Sequence, residues 1–259
     1  YRAAMESPFG LILVGGPTGS GKTTTLYASI NTMDRQQRNI MTIEDPIEYR
    51  FTDINQTQIN PRAGLTFASG LRSIMRHDPD SILVGEIRDN DTATAAIQAA
   101  LTGHLVLSSV HANDAVGVLF RLLDLGIEPY LVAATLVGVL SQRMVRKVCT
   151  QCSVPVTPSA AETAYIQSEF DAPGASIYQG AGCPLCDASG YQGRTGIYEM
   201  MLMSEGIRNL LHTGANVGDI RARALEEGMT TLKNDGVRKV LDGVTTIKEV
   251  QNKVFSVSF

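Results

Sequence analysis

The chain has 259 residues, with 22 Lys and Arg against 26 Asp and Glu, a formal net charge of −4 and 44% hydrophobic residues. That length admits one large domain or two smaller ones, and the apolar share is that of a globular protein. The acidic balance argues against a general affinity for DNA or RNA, which needs a basic surface.

In chain order, the apolar run Leu11-Ile12-Leu13-Val14 reads as a buried strand, and Gly16-Pro17-Thr18-Gly19-Ser20-Gly21-Lys22-Thr23 follows it directly. This is G-x-x-x-x-G-K-T, a phosphate-binding loop, and Thr24 to Ile30 continues as a helix. Strand, glycine loop and helix is the setting in which the motif binds a nucleotide. Glycines let successive N–H groups curl around phosphate oxygens, and the helix N-terminus adds its positive dipole end. Lys22 is expected on the β- and γ-phosphates and the Thr23 hydroxyl on Mg²⁺. No Asn/Thr-Lys-x-Asp guanine reader follows, so ATP is the expected nucleotide. The chain opens on Tyr1, not Met, and reaches this strand almost at once, which reads as a fragment lacking its N-terminal domains.

Asn39–Ile43 is a second strand signal, and Thr42-Ile43-Glu44-Asp45-Pro46-Ile47-Glu48-Tyr49 places acidic residues at its end. Adjacent carboxylates repel unless a cation lies between them, which suits a metal–phosphate site. Arg62, Arg72 and Arg76 come next. Arg72 and Arg76 are spaced to share one helix face. Any of the three is a candidate to neutralise charge on a transferred phosphoryl group, in cis or from a neighbouring subunit. Ser81–Val84 is a third strand, inside Asp78-Pro79-Asp80-Ser81-Ile82-Leu83-Val84-Gly85-Glu86-Ile87-Arg88-Asp89. Glu86 at its end is the expected group that orients the attacking water. Leu105–Val110 is a fourth strand, with His104 before it and His111 at its tip, where His111 can face the γ-phosphate. Short apolar strands alternating with helical stretches predict an α/β fold with a parallel sheet.

Tyr130–Leu140 is the longest apolar stretch; it is too short to span a bilayer and is expected to be a buried core helix. There is no signal peptide, so a cytoplasmic chain is expected, docked at a membrane only through partners. The four cysteines form two pairs, Cys149-Thr150-Gln151-Cys152 and Cys183-Pro184-Leu185-Cys186. Paired C-x₂-C motifs in such a chain suit tetrahedral Zn²⁺ held by four thiolates, a closed site with a scaffolding role. Helical spacing returns at Ile207, Leu210, Leu211 and at Ile220, Ala224, Leu225. The expected organisation is a RecA-like P-loop core over 1–148, a tetracysteine zinc subdomain over 149–190 and a C-terminal helical subdomain over 191–259.

The P-loop, the Thr42–Tyr49 acidic box, the Asp78–Asp89 strand and the His104–Asp114 box, in this order, resemble the secretion ATPase superfamily, the motor ATPases of type II secretion and type IV pilus assembly. The likeness runs on through Gly193-Arg194-Thr195-Gly196-Ile197-Tyr198-Glu199 and Gly206–Leu211. It implies Glu86 as catalytic glutamate and Glu44 as its acidic-box partner. It also implies His111, and His104 with it, near the γ-phosphate, with Arg62, Arg72 and Arg76 neutralising charge. The family's usual Thr-Leu-His-Thr-Asn is here Ser109-Val110-His111-Ala112-Asn113, which leaves the histidine in place. Assembly and secretion motors carry a tetracysteine module that retraction motors generally lack. The resemblance therefore implies a Mg²⁺-dependent homohexameric ATPase acting on an inner-membrane platform protein. A nucleic-acid translocase or competence DNA-uptake motor of the same superfamily is the alternative, and a non-catalytic nucleotide switch a third reading.

Overall fold

The computed structural model describes residues 1–172 and 174–254. The chain divides into two compact units, one of Tyr1–Ser141 with Met200–Met229, the other of Gln142–Glu199 with the chain from Thr230 onward. This division differs from the expected cuts at 148 and 190, because the C-terminal helical stretch is shared between the units.

In the first unit a short helix α1 (Arg2–Met5) precedes strand β1 (Gly10–Gly15) and helix α2 (Lys22–Thr32). Then come β2 (Ile40–Glu44), β3 (Asn55–Gln58), α3 (Phe67–Ile74), β4 (Ser81–Val84), α4 (Asn90–Leu101) and β5 (Leu105–Val110). Helices α5 (Ala115–Asp124) and α6 (Pro129–Thr135) lead into β6 (Leu136–Val148). The sheet has seven strands; β3-β2-β4-β5-β1-β6 come first in its order, followed by the later strand β9 (Tyr191–Leu202), and β6 and β9 carry the chain between the units. The pairs β1·β5, β1·β6, β2·β3, β2·β4 and β4·β5 are all parallel.

Side chains of a strand alternate between faces, and the two cores follow this rule. Leu11 and Leu13, Ile82 and Val84, and Val106 and Val110 face one cluster; Ile12 and Val14, Leu83, and Leu105 and Leu107 face the other. The second cluster contains Leu26, Tyr27 and Ile30 of α2. The first contains residues of α3 to α6, and of α8 (Glu205–His212) and α9 (Val217–Glu226), which join this unit. Arg221 of α9 pairs with Asp114 at 2.9 Å, and Asp114 also caps α5 through the Gly117 N–H.

The expected core helix over Tyr130–Leu140 is half helix and half strand, turning from α6 to β6 at Leu136. A continuous apolar run carries no period by which to separate the two, and the change comes where Val137 and Val139 favour a strand. No helix among the described residues is long and apolar enough to cross a membrane.

The second unit holds an antiparallel hairpin of β7 (Ser153–Val156) and β8 (Ile177–Gly180), with α7 (Ala160–Gln167), α10 (Leu232–Leu241) and α11 (Ile247–Val254). Tyr165, Ile166, Ile177, Val237, Val240, Ile247 and Val250 form its core. A Cβ on Gly236 would lie 2.5 Å from Val250 Cγ1, so the glycine permits α10 and α11 to close on each other. Residues 255–259 of the expected C-terminal subdomain lie outside the described residues.

Candidate nucleotide site and metal centre

Because the strands are parallel, their carboxyl ends share one edge of the sheet, the edge at which open α/β sheets bind ligands. Register places Gly15 beside Val110, Val84 beside Ser108 and Ile43 beside Val84. The P-loop, Glu44, Glu86 and His111 therefore leave the sheet side by side. They surround a cavity of about 560 Å³, lined by Thr18 to Thr24, Glu44 to Pro46, Glu48, Tyr49, Gly85, Glu86, Arg88 and His111 among others.

The loop has the backbone its sequence demands. Gly19 and Gly21 hold φ of 75° and 87°, a region that a side chain disfavours. Gly21 caps α2, whose first residue is Lys22. Lys22 Nζ donates to the carbonyls of Gly16 and Pro17 at 2.9 and 3.1 Å, so the ammonium already lies folded over the loop. Thr23 and Thr24 are exposed at the start of α2 and line the cavity, as a hydroxyl that ligates Mg²⁺ beside bound phosphates would.

Glu86 leaves β4 in a turn pinned on both sides. The Gly85 N–H donates to Ile43 O at 2.8 Å, the Ile87 N–H donates to Ser109 O at 2.9 Å, and Ser109 Oγ donates to Gly85 O at 2.9 Å. The carboxylate pairs with Arg88 through one oxygen and faces His111 Nε2 at 3.6 Å through the other. His111 is held below its usual pKa, first by partial burial and then by Lys22 and Arg88, which outweigh the opposing pull of Glu86. Glu44 is buried and saturated with donors: Tyr27 on one oxygen, Thr42 and Gln56 on the other, Gln56 at 3.1 Å.

The remaining sequence-based candidates lie elsewhere. His104 precedes β5 while His111 follows it, so a strand of about 3.3 Å per residue separates them by roughly 20 Å. His104 Nδ1 instead meets Ala99 O at 2.9 Å, beyond the last turn of α4. Arg62 lies in the short 3₁₀ turn Pro61–Ala63, and Arg72 on α3. Arg76 falls past the end of α3, so the expected shared helix face is not formed. All three are exposed and none lines the cavity.

Two features of the cavity escaped the motif reading. Arg88 follows Glu86 by two residues and reads as a loop charge; only the fold turns it back onto the carboxylate. Tyr27 reads as a core residue of the P-loop helix; α2 lies over β1 and β5, and this side chain extends to Glu44 at the tip of β2.

In the second unit the sulfurs of Cys149, Cys152, Cys183 and Cys186 all lie within 4.8 Å of one another. The Cys149–Cys183, Cys152–Cys186 and Cys183–Cys186 separations are 3.9, 3.8 and 3.7 Å. A disulfide needs about 2.05 Å, whereas the edge of a tetrahedron with Zn–S bonds of about 2.3 Å is about 3.8 Å. Backbone N–H groups of Cys183 and Gly190 donate to Cys186 Sγ at 3.2 and 3.3 Å. With Cys183 the larger influence, they bring the Cys186 thiol down to about 6, while desolvation pushes the neighbouring Cys152 thiol up to about 12, so Cys186 is the first of the pair to become a thiolate. The hairpin sets the spacing: the Ala181 N–H donates to Cys152 O, and the Cys149 N–H to Gly190 O.

The chain is similar to known secretion and pilus proteins. The family model described as "Type II/IV secretion system protein" matches residues 1–252. The type II secretion system protein E of Pseudomonas aeruginosa is 49% identical over 95% of this chain and 49% of its own length. The type IV pilus assembly ATPase PilB of Thermus thermophilus is 45% identical over 96% of this chain and 28% of its own. The chain thus spans about half the length, or less, of these relatives. Among solved structures, the pilus retraction motor PilT with bound ADP superposes with a TM-score of 0.72 at 28% identity, covering 96% of this chain and 62% of that one. The chain belongs to the type II/IV secretion system protein family.

Proposed function

We propose that this chain is the ATP-hydrolysing portion of a motor ATPase that powers type II protein secretion or type IV pilus assembly. The observation that carries the reading is the cavity at the carboxyl edge of the sheet, where one P-loop, Glu86, Glu44 and His111 converge. The names of the relatives support it: a type II secretion protein and a pilus assembly ATPase, with a retraction motor that holds ADP.

The loop N–H groups and Lys22 bind the phosphates, and Lys22 leaves the Gly16 and Pro17 carbonyls to do so. Glu86 orients a water for in-line attack on the γ-phosphate and accepts its proton. Arg88 holds that carboxylate, and His111 reads whether the γ-phosphate is present. Mg²⁺ on Thr23, when bound, offsets charge on the phosphate oxygens. The four cysteines hold Zn²⁺ as a scaffold. The motor works as a homohexamer at the cytoplasmic face of the inner membrane and pushes on a platform protein, with charge-neutralising arginines supplied between subunits.

The test is Mg²⁺-dependent phosphate release by the full-length protein, with Glu86→Gln beside it. Turnover that vanishes in the variant while ATP binding persists supports the reading. ATP binding without turnover in a verified oligomer would make the chain a nucleotide switch. Turnover stimulated by single-stranded DNA would favour a DNA-uptake motor.

A further inference from the structure

Tyr27 lies on α2, one and a half turns beyond Lys22, and is 1% exposed. Its hydroxyl donates to Glu44 Oε2 and accepts the Glu48 N–H at 3.2 Å. Its ring meets Tyr49 and Phe51 edge-on, with centroids 4.4 and 5.2 Å away. The other donors to Glu44 come from Thr42 on β2 itself and Gln56 on β3. Tyr27 is thus the donor to Glu44 that stands on the P-loop helix.

We propose that Tyr27 is a positioning residue for nucleotide hydrolysis: its hydroxyl ties the P-loop helix to Glu44 and to the acidic loop after it, so that the phosphate cradle and the acidic wall of the cavity keep one geometry. Packing alone would need only the aromatic ring. A phenol buried against a carboxylate is costly to leave without a partner, and here each group satisfies the other. Burial first, and then Glu44, push the phenol above its usual pKa, in keeping with its place as the donor in this pair. The phosphate-binding motif places nucleotide contacts on Gly16 through Thr24 and stops short of this residue.

The inference rests on the proposed hydrolytic function, and the experiment separates the two. Steady-state ATPase rates, affinity for a non-hydrolysable ATP analogue and thermal midpoints are measured for the full-length protein, Tyr27→Phe, Glu44→Gln and the double variant. Tyr27→Phe should lower kcat by about 10- to 100-fold, by analogy with the loss of a partner behind a metal ligand, with KM and analogue affinity held and the thermal midpoint somewhat lowered, because Glu44 Oε2 and the Glu48 N–H lose their partner. In the Glu44→Gln background the same change should add nothing. Wild-type kcat in Tyr27→Phe, losses that add in the double variant, or a fall in kcat matched by an equal loss of analogue-binding sites would each overturn it. Should Tyr27→Phe not fold, Glu44→Gln decides, since wild-type turnover there leaves Tyr27 nothing to position. A wild-type protein that binds ATP without hydrolysing it overturns the proposed function, and this inference with it.

Discussion

His111 faces Glu86 at 3.6 Å, yet its environment disfavours protonation, because partial burial, Lys22 and Arg88 together outweigh the carboxylate. The imidazole should therefore be neutral at pH 7 and titrate below the usual value of about 6.5. A base whose folded pKa is depressed contributes stability above its unfolded pKa, and that contribution is lost as pH falls through the folded value. An ATP analogue in the cavity would bring phosphate charge toward the ring and raise the midpoint, while ADP, lacking the γ-phosphate, would raise it less. NMR titration of the histidine resonances with and without nucleotide checks both statements, and a midpoint at or above that of a free histidine in the empty protein would contradict them. At Glu86, replacement by Gln removes the group that accepts the water's proton. The expected loss is about 10²- to 10⁴-fold in kcat, read as phosphate release, with nucleotide affinity retained because Lys22 and the loop are untouched.

At the scale of elements, the cysteine site depends on two loops touching backbone to backbone. A Cβ on Gly180 would lie 2.0 Å from Gly190 O, and the Gly190 N–H in turn donates to Cys186 Sγ. Gly180→Ala should push the loops apart and weaken metal binding, which a chelator competition measures as faster zinc release. The wild-type protein should carry one zinc per chain. Its removal should lower the unfolding temperature of the second unit without abolishing its fold, because Tyr165, Ile177, Val237 and Val250 supply a core that a minimal zinc finger lacks. In the same unit, burial would raise the Glu249 carboxyl, but the Arg146 side chain at 2.7 Å and its backbone N–H outweigh this and hold it low. Stability from this pair is present above the unfolded pKa of a glutamate, about 4.3, and is lost as pH falls through the lower folded value. Arg146→Ala should cost about 1–3 kcal/mol, measured by denaturant unfolding near pH 7, with the cost shrinking in acid.

These elements also mark where the sequence was legible. Four strands and the P-loop could be read because each apolar run is bounded by glycine, histidine or charge, and the parallel order then places their tips on one edge. The polar edge strand Asn55–Gln58 has no apolar pattern to read. His104 and His111 look alike in sequence, and the length of the strand between them decides which one reaches the cavity. Tyr27 owes its role to a contact across elements that no local spacing encodes, and Arg88 to the turn after β4 that folds it back onto a carboxylate two residues away. The two long strands β6 and β9 pass between the units, so a division drawn along the chain could not follow one drawn through space.

For the whole molecule, the question is what completes the charge of the cavity. Lys22 and Arg88 line it, while Arg62, Arg72 and Arg76 are exposed and lie outside its lining. In-line transfer of a phosphoryl group is commonly assisted by an arginine that a neighbour supplies. If one of these three serves a second copy of the chain, specific activity per subunit should climb with protein concentration as copies associate. Complementation would then identify the residue. Glu86→Gln subunits lack the water-orienting group but keep their arginines; Arg72→Ala subunits keep Glu86 but offer no arginine to the next site. Each alone should be nearly inactive. Mixed before assembly, they create interfaces in which an intact Glu86 meets an intact Arg72, and part of the wild-type rate should return. The same mixture made with Arg62→Ala or Arg76→Ala tests the other two. Recovery with one arginine variant and not the others assigns the residue. Full activity in all three arginine variants alone would exclude each of the three as the assisting residue.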